Sequence, residues 1–522
     1  MRHRLQTPAA DEGYVMNIPD DSNNGNENRW TNWAGNLTSV PDAIERPASV
    51  ADVQALVRRS RGNKLRMIGT GHSFSPLIVN NGETLVDMSN FAKGTRKAWR
   101  WQDKGRDLVS FVPSATWAEV RDALTAPDPA VPPMYLSSTG ALASINATGF
   151  VAAGCHGTGW DQRTVSDFVH AIEFVSADGQ VHVFSEDTTP GDMDAVRVSL
   201  GTLGVITELT LRVEPLYNLH DQEIVTATES VMGPNPQGTD GEIRPQNLHK
   251  LVTENDYVEL FWFPGSGYNN GQIWIKKFNR TSDEPRDVPL RPDGWIDKMA
   301  TSVMEWTATH PLVWPLVLST AWDTISSRAR DIEAKGGFVA PAPRVLFYAD
   351  QAFPILDLEV AIPIPATGRG TWNVDNVVRA WYAALNYAYK FQRDFPLTTC
   401  LHARFTRTSP ALLSPAFSTA ADDRVCWMEI LSAYPKSEPD ANKRAQAMAP
   451  HLAMINAVMA DWIGTRHGRP HWAKNWQYIT PHLDVKALYP QANLLKFDAL
   501  RRRLDPDGMF VNRFLSEQGL FS

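Results

Sequence analysis

His72 stands in Gly69-Thr70-Gly71-His72-Ser73-Phe74-Ser75-Pro76, directly after the apolar run Leu65–Ile68. Glycines beside small hydroxyl residues at a strand end form a nest whose backbone N–H groups can hold a pyrophosphate. A His in such a loop can reach a bound cofactor; the same spacing also suits an ordinary turn with a surface His. A second stretch, Gly149 to Gly159, ends in Gly154-Cys155-His156-Gly157-Thr158-Gly159. Its small residues allow close backbone approach to a flat, phosphate-bearing ligand, or tight packing of strands. A third, Leu200-Gly201-Thr202-Leu203-Gly204-Val205-Ile206-Thr207, turns into an apolar strand. A fourth, Arg469-Pro470-His471-Trp472-Ala473-Lys474, sets a Lys beside aromatics. That is either a cation placed near a ring or a loop Lys packed on Trp472.

Other chemistries lack their motifs. No GxGxxG follows a strand, and there is no GxxxxGK[ST], HExxH or GxSxG, so Rossmann, NTPase, zinc-protease and serine-hydrolase readings have no support. The net charge of −8 argues against a nucleic-acid binder, and the densest basic run, Arg501-Arg502-Arg503, reads as one solvated helix face. Cys155, Cys400 and Cys426 are few and far apart, with no CxxC. A structural zinc site and a disulfide framework are therefore excluded, and a reduced, intracellular (cytoplasmic) protein is expected.

The elements that must position these loops follow from length and periodicity. A chain of 522 residues with 43% hydrophobic and 21% charged residues exceeds one ordinary core, so two domains or one large insertion are expected. Residues 1–30 are polar, lack a secretory apolar run, and read as a flexible arm. No eighteen-residue apolar stretch exists, so no transmembrane helix is expected. Pro311–Trp322 comes nearest; it reads as buried or subunit-contacting, or as a peripheral membrane-surface patch rich in Trp. Between Pro47 and Leu216 short strands and helices alternate: helices at Ser49–Ser60 and Thr116–Leu124, strands at Leu65–Ile68, Thr84–Met88, Leu108–Val112, Ala171–Ser176, Gln180–Phe184 and Val205–Val213. From about residue 218 aromatics thicken and strands lengthen, at Tyr257–Phe263, Gln272–Lys277, Leu356–Ile362, Thr398–Thr406 and Val425–Ala433, with helices at 375–393 and 441–463 and an exposed loop at 281–295. This predicts a second α+β domain with a mostly antiparallel sheet.

The order and spacing of the motifs resemble the FAD-linked oxidases of the vanillyl-alcohol-oxidase superfamily, and within it the sugar-1,4-lactone oxidase group. The resemblance covers roughly 30–217 and 350–515. It is carried by Asn32-Trp33-Ala34-Gly35-Asn36, Gly69–Phe74, Gly154–Gly159 with Cys155 in place of a Thr, His471–Lys474, and the closing Asp505–Leu515. It implies an α+β fold: a two-subdomain FAD-binding (PCMH-type) domain over 31–217, a cap domain over 218–475, and a C-terminal segment, 476–522, completing their interface. It also implies FAD bound covalently through an 8α-histidyl link at His72. Further cofactor contacts are expected at Gly69, Thr70, Gly71, Ser73, Gly140, Gly149, Gly154, Cys155, His156, Gly157, Thr158 and Ile206.

The implied activity is oxidation of a sugar lactone or related polyol, with hydride passing to the flavin and molecular oxygen reoxidising it to give hydrogen peroxide. A dehydrogenase using another acceptor and a non-catalytic flavin or sugar-acid binder are the alternatives. Lys474 is the expected cation beside the flavin, and Arg404 the expected substrate contact. In one respect the chain departs from the group: where the family has Glu-x-Arg on a cap strand, this sequence has His402-Ala403-Arg404. His402 is then a replacement base or polar anchor, or Glu429 or Glu359 supplies the carboxylate, or the substrate itself differs. Glu429 and Glu359 also read as members of strand-surface salt bridges.

Overall fold

A computed structural model describes residues 28–521 except 93–94, 237–246, 268–270, 290–308, 311–312, 348–353, 391–399 and 479–482. The expected arm at 1–30 lies almost wholly outside the described residues, as do parts of the 281–295 loop.

Local signals set the first elements. Ser49 caps helix α1 (Val50–Arg59), which buries Val53, Leu56 and Val57. Strands β1 (Trp30–Thr31) and β2 (Thr38–Ser39) form a small antiparallel pair. Beside them β3 (Ala43–Glu45), β4 (Leu65–Ile68) and β5 (Thr84–Asp87) make a parallel sheet in the order β3-β5-β4. A second sheet has β6 (Ala98–Asp103), β7 (Arg106–Phe111), β8 (Met134–Tyr135), β9 (Val169–Val175), β10 (Val181–Ser185) and β11 (Val205–Pro215). Its order is β10-β9-β11-β7-β6, with β8 against β11, and all pairs are antiparallel. Thr116 caps helix α2 (Trp117–Thr125) in a reciprocal capping box with Glu119.

The third sheet carries the chemistry. It contains β12 (Asn218–Ala227), β13 (Tyr257–Trp262), β14 (Gln272–Thr281), β15 (Phe338–Pro341) and β16 (Ile355–Ile364). After a short hairpin of β17 (Ala366–Gly368) and β18 (Thr371–Trp372), it adds β19 (Cys400–Arg407), β20 (Arg424–Ala433) and β21 (Arg469–Pro470). The order is β15-β12-β14-β13-β19-β20-β16-β21, antiparallel throughout. Side chains alternate between its faces. Leu358, Val360, Ile362, Ala403, Phe405, Met428 and Ile430 join the main core with Val377 and Trp381 of the helix Asp375–Lys390. Asp357, Glu359, His402, Arg404 and Glu429 occupy the other face.

The strands and helices expected from periodicity are present with small shifts at their ends. Four features stand out among the differences. Strand β12 escaped notice because its buried positions include Asp221 and Glu223, which break the apolar alternation. A six-residue helix, α3 (Ala147–Ala152), capped by Asn146, lies inside the small-residue stretch despite Gly149. The segment around Trp314 is the start of a helix, Trp314–Ala334, that buries Trp314 and Trp322 and exposes Leu316. Helix 441–463 is α-helical only over Ala441–Met459 and continues as a π-helix over Ala460–Thr465. Among the described residues no helix is long and apolar enough to cross a membrane.

The C-terminal tail closes onto the first sheet. Asp505 accepts from the N–H groups of Met509 (2.7 Å) and Phe510 (2.9 Å). Asn512 donates to the carbonyls of Pro76 and Val79, both at 2.9 Å. The buried Arg66 guanidinium joins three chain segments, donating to the carbonyls of Leu77, Leu200 (2.6 Å) and Phe510 (3.3 Å). Replacing Arg66 with Met leaves these carbonyls without a charged donor, so we expect a loss of about 3 kcal/mol or more. A urea midpoint equal to that of the unaltered protein would contradict this.

Candidate active site

One rung of the third sheet fixes the geometry. Phe261, His402, Glu429 and Glu359 lie directly opposite one another across β13, β19, β20 and β16. Opposed residues in antiparallel strands share a face, so all four side chains meet on the face that lines a cavity of about 660 Å³. Asp357 and Arg404, two residues along their strands, share that face and line the same cavity.

Lys474 arrives from outside the sheet. The N–H of His471 donates to the Glu359 carbonyl (2.9 Å), and that of Asn475 to the Asp357 carbonyl (2.8 Å). Asn475 Oδ1 accepts from the Asp357 N–H at 2.6 Å. These bonds lash the loop to the edge of β16 and bring Lys474 Nζ onto Asp357 Oδ2 and, at 2.8 Å, Glu429 Oε1. The same loop holds the His72 loop: Phe74 N–H donates to the Ala473 carbonyl (2.7 Å), and Gln477 Nε2 donates to the Phe74 carbonyl (2.8 Å).

The carboxylates are buried, not on a strand surface: Glu359 is 0% and Glu429 4% exposed. Glu429 Oε2 accepts from His402 Nδ1 at 2.9 Å, with Arg404 Nη2 at 3.7 Å. Arg404 donates to Glu359 Oε1 (2.7 Å), which also accepts from His156 Nε2 (3.0 Å). Burial opposes ionisation of Glu429, but Lys474, Arg404 and the His402 bond outweigh it and hold the carboxyl well below its usual range. Burial likewise opposes ionisation of Glu359, and His156 and Arg404 bring it down. Burial, and next the charge of Glu429, push Asp357 well above the carboxylate range. Lys474 stays charged: burial opposes this, but Asp357 and Glu429 raise it. The two cations are the more exposed members, with side chains 10% (Arg404) and 17% (Lys474) accessible. The carboxylates stand behind them.

Most expected cofactor residues line the cavity: Gly69, Thr70, Gly71, His72, Ser73, Gly140, Gly149, Cys155, His156 and Ile206. Gly154, Gly157 and Thr158 do not. Gly157 packs against the Thr139 carbonyl, where a Cβ would come within 2.3 Å, and Thr158 donates to the Val258 carbonyl. His156 stacks on Trp427, ring centroids 3.6 Å apart, and serves Glu359. His72 stacks on Trp33 at 4.6 Å. Burial first, then the charges of Lys436 and Lys474, press its imidazole down to about 4. Burial pushes the Cys155 thiol up to about 12, so it is a poor nucleophile.

The wall fits FAD on four counts. Among the described residues no acceptor takes the N–H of Thr70, Gly71, His72 or Ser73, a run of donors suited to a pyrophosphate. Gly71 has φ +71°, and a Cβ there would lie 2.9 Å from the Trp30 ring. A Cβ on Gly149 would meet only Asn146 Oδ1, at 3.4 Å, so that side is open to the cavity. Thr148 Oγ1, on the lining, is buried without a partner among the described residues.

Sequence reading missed Asp357, although Asp357-Leu358-Glu359 in an apolar strand signals two carboxylates on one face. It also missed Phe261 and Arg66; a lone Arg within Leu65–Ile68 was the available sign of Arg66.

Comparison with known proteins agrees. A profile described as an FAD binding domain matches residues 41–185, and that of D-arabinono-1,4-lactone oxidase matches 209–518. A cholesterol oxidase from B. sterolicum superposes with a TM-score of 0.72 at 16% identity, covering 94% of this chain and 96% of that one. The fold and cavity therefore define an FAD-dependent oxidoreductase with a PCMH-type FAD-binding domain. The chain belongs to the D-arabinono-1,4-lactone oxidase family. Its relatives include the L-gulono-1,4-lactone dehydrogenase of Mycobacterium tuberculosis, 24% identical over 93% of this chain and 97% of that protein. The mouse L-gulonolactone oxidase is 24% identical over 94% and 98%, and the Yarrowia lipolytica D-arabinono-1,4-lactone oxidase 22% over 92% and 95%.

Two buried histidines predict an acid response. Burial lowers both His451, whose Nδ1 lies 2.6 Å from Ser432 Oγ, and His471 to about 3. In the unfolded chain they take protons near 6.5. Uncharged in the fold, they contribute stability that is complete above about pH 6.5 and is lost progressively toward about 3. Raised carboxyls such as Asp357 act with the opposite sign in this window, so the test is comparative: the Tm change from about pH 6.5 to 5 should shift toward stabilisation in His451→Gln relative to the unaltered protein, and identical changes in the two would refute this.

Proposed function

We propose that the protein oxidises a hydroxyl-bearing carbon of an aldono-1,4-lactone or closely related polyol. The observation that carries this reading is the pair Arg404 and Lys474, presented at the cavity wall by buried carboxylates. FAD, when bound, supplies the hydride acceptor. Lys474 and Arg404 hold fixed positive charge where negative charge develops during transfer. Such preorganised groups act mainly in the transition state. Arg404 also offers hydrogen bonds to the oxygens of a sugar ring. In this reading residues 31–217 and 476–522 hold the cofactor, and 218–475 cap it.

His72 is the residue we assign to an 8α-histidyl bond. Its ring lines the cavity beside Trp33, and an imidazole brought down to about 4 is uncharged and nucleophilic at neutral pH. Acid-precipitated protein should keep its yellow colour, and the His72→Ala protein should release its flavin into the supernatant.

Anaerobic titration with aldono-1,4-lactones, alditols and simple sugars tests the activity. Lactones should bleach the flavin band, and Lys474→Met should slow bleaching by about 10²–10³-fold. Bleaching by none of the three classes would end this reading. We also propose molecular oxygen as the acceptor, giving hydrogen peroxide; readmitted air should restore the colour within the turnover time. Slow recovery would instead favour another acceptor, as the dehydrogenase name of one relative suggests.

A further inference from the structure

The charged groups of the cavity converge on one side chain. Glu429 Oε1 takes Lys474 at 2.8 Å, and Oε2 takes His402 Nδ1 at 2.9 Å with Arg404 at 3.7 Å. Both carboxylate oxygens thus already accept a hydrogen bond from within the protein. His402 is similarly enclosed. Phe261 covers its ring at 4.1 Å with an interplanar angle of 9°, and its Nε2 is buried with no partner among the described residues. A proton acceptor for a substrate hydroxyl must be within hydrogen-bond reach of it. An enclosed Nε2 and an Nδ1 bound to Glu429 do not meet that requirement.

We propose that Glu429 is the hub that positions Lys474 by a hydrogen bond and Arg404 by its charge, Arg404 being bonded to Glu359, and that His402 is the positioning residue that holds this hub; the proposal rests on the role given above to the two cations. A Glu side chain on a strand has three rotatable bonds, and its charge alone fixes none of them. The Nδ1–H of His402 fixes one oxygen, the Phe261 stack fixes the His402 ring, and the register places His402 directly opposite Glu429 with Phe261 on its other side. Lys474 then meets the other oxygen. A rotation of Glu429 breaks its bond to Lys474 and removes the negative charge beside Arg404, so both cations shift toward their other partners, Asp357 and Glu359. Displacements of about 1 Å in such groups cost on the order of 10²-fold in rate. The carboxylate that serves the site thus stands on β20 and its hydrogen-bond donor on β19, so His402 need not act as a base.

Two arms test this on the flavin-loaded protein. The first needs no substrate. In ¹⁵N-histidine NMR, the ring signals that disappear in His402→Asn should show a protonated Nδ1; a bare Nδ1 would overturn the proposal. The second compares His402→Leu with His402→Asn, whose amide N–H can take the place of Nδ1–H. With a lactone that bleaches the unaltered protein, His402→Leu should slow anaerobic flavin reduction by about 10²-fold, with the lactone Kd changed less than threefold. His402→Asn should recover most of that loss. Reduction of His402→Leu at the unaltered rate, or His402→Asn as slow as His402→Leu, would overturn it. If no lactone bleaches the unaltered protein, the proposed function fails instead, and the NMR arm still decides the hub.

Discussion

Three carboxylates buried side by side on neighbouring strands cannot stand alone. Asp357, Glu359 and Glu429 lie within one patch of sheet, each less than 5% exposed. Without compensation each would repel the others in a medium that screens poorly. Lys474 and Arg404 offset the charge of Glu429 and Glu359, burial and Glu429 push Asp357 above the carboxylate range, and His156 and His402 add hydrogen bonds, while Asp357 Oδ1 and Glu359 Oε2 are buried without partners among the described residues. The cost of burying charge falls on the interior, while the two positive groups emerge at the cavity wall. The groups paired in this buried network have few alternative arrangements, which is what a preorganised site requires.

That constraint reaches the rest of the chain through Lys474. The Lys must come from a segment bonded to β16, and the backbone bonds of His471 and Asn475 provide it. The same segment bonds to Phe74, next to the loop that carries His72. Beyond it, the tail from Asp505 to Asn512 clamps Pro76 and Val79, and Arg66 ties Leu200 and Phe510 to the same place. The loops expected to hold the cofactor and the sheet expected to hold the substrate are therefore cross-braced by the last fifty residues. The C-terminal motif Asp505–Leu515 touches no cavity wall, yet it fixes the loop that does.

What the sequence disclosed follows from what each motif needs. The loop at Gly69–Ser73 was legible because a nest demands small residues at adjacent positions, and the structure sets all of them on the cavity. The longer strands β13, β14, β16, β19 and β20 were legible from their apolar residues, whereas the four-residue β15 was too short to stand out. Strand β12 was not legible, because Asp221 and Glu223 occupy its inward positions. The motif Gly154–Gly159 reads as one unit, but only Cys155 and His156 line the cavity, while Gly157 and Thr158 serve packing against Thr139 and Val258. Contiguity in sequence does not guarantee a shared face, since a loop turns its residues in several directions.

The register between strands was the least accessible quantity and the most informative. Sequence reading set His402, Glu429 and Glu359 side by side only as alternatives, because nothing in one chain says which residue of one strand faces which of the next. The observed register makes them partners: a slip of one residue in β20 would bring Met428 or Ile430 opposite His402 and send Glu429 into the apolar core. His402 is thus intelligible only as one of a pair. A His at 402 is tolerable because a carboxylate faces it at 429, and Glu429 is tolerable in the interior because His402 and two cations meet it there.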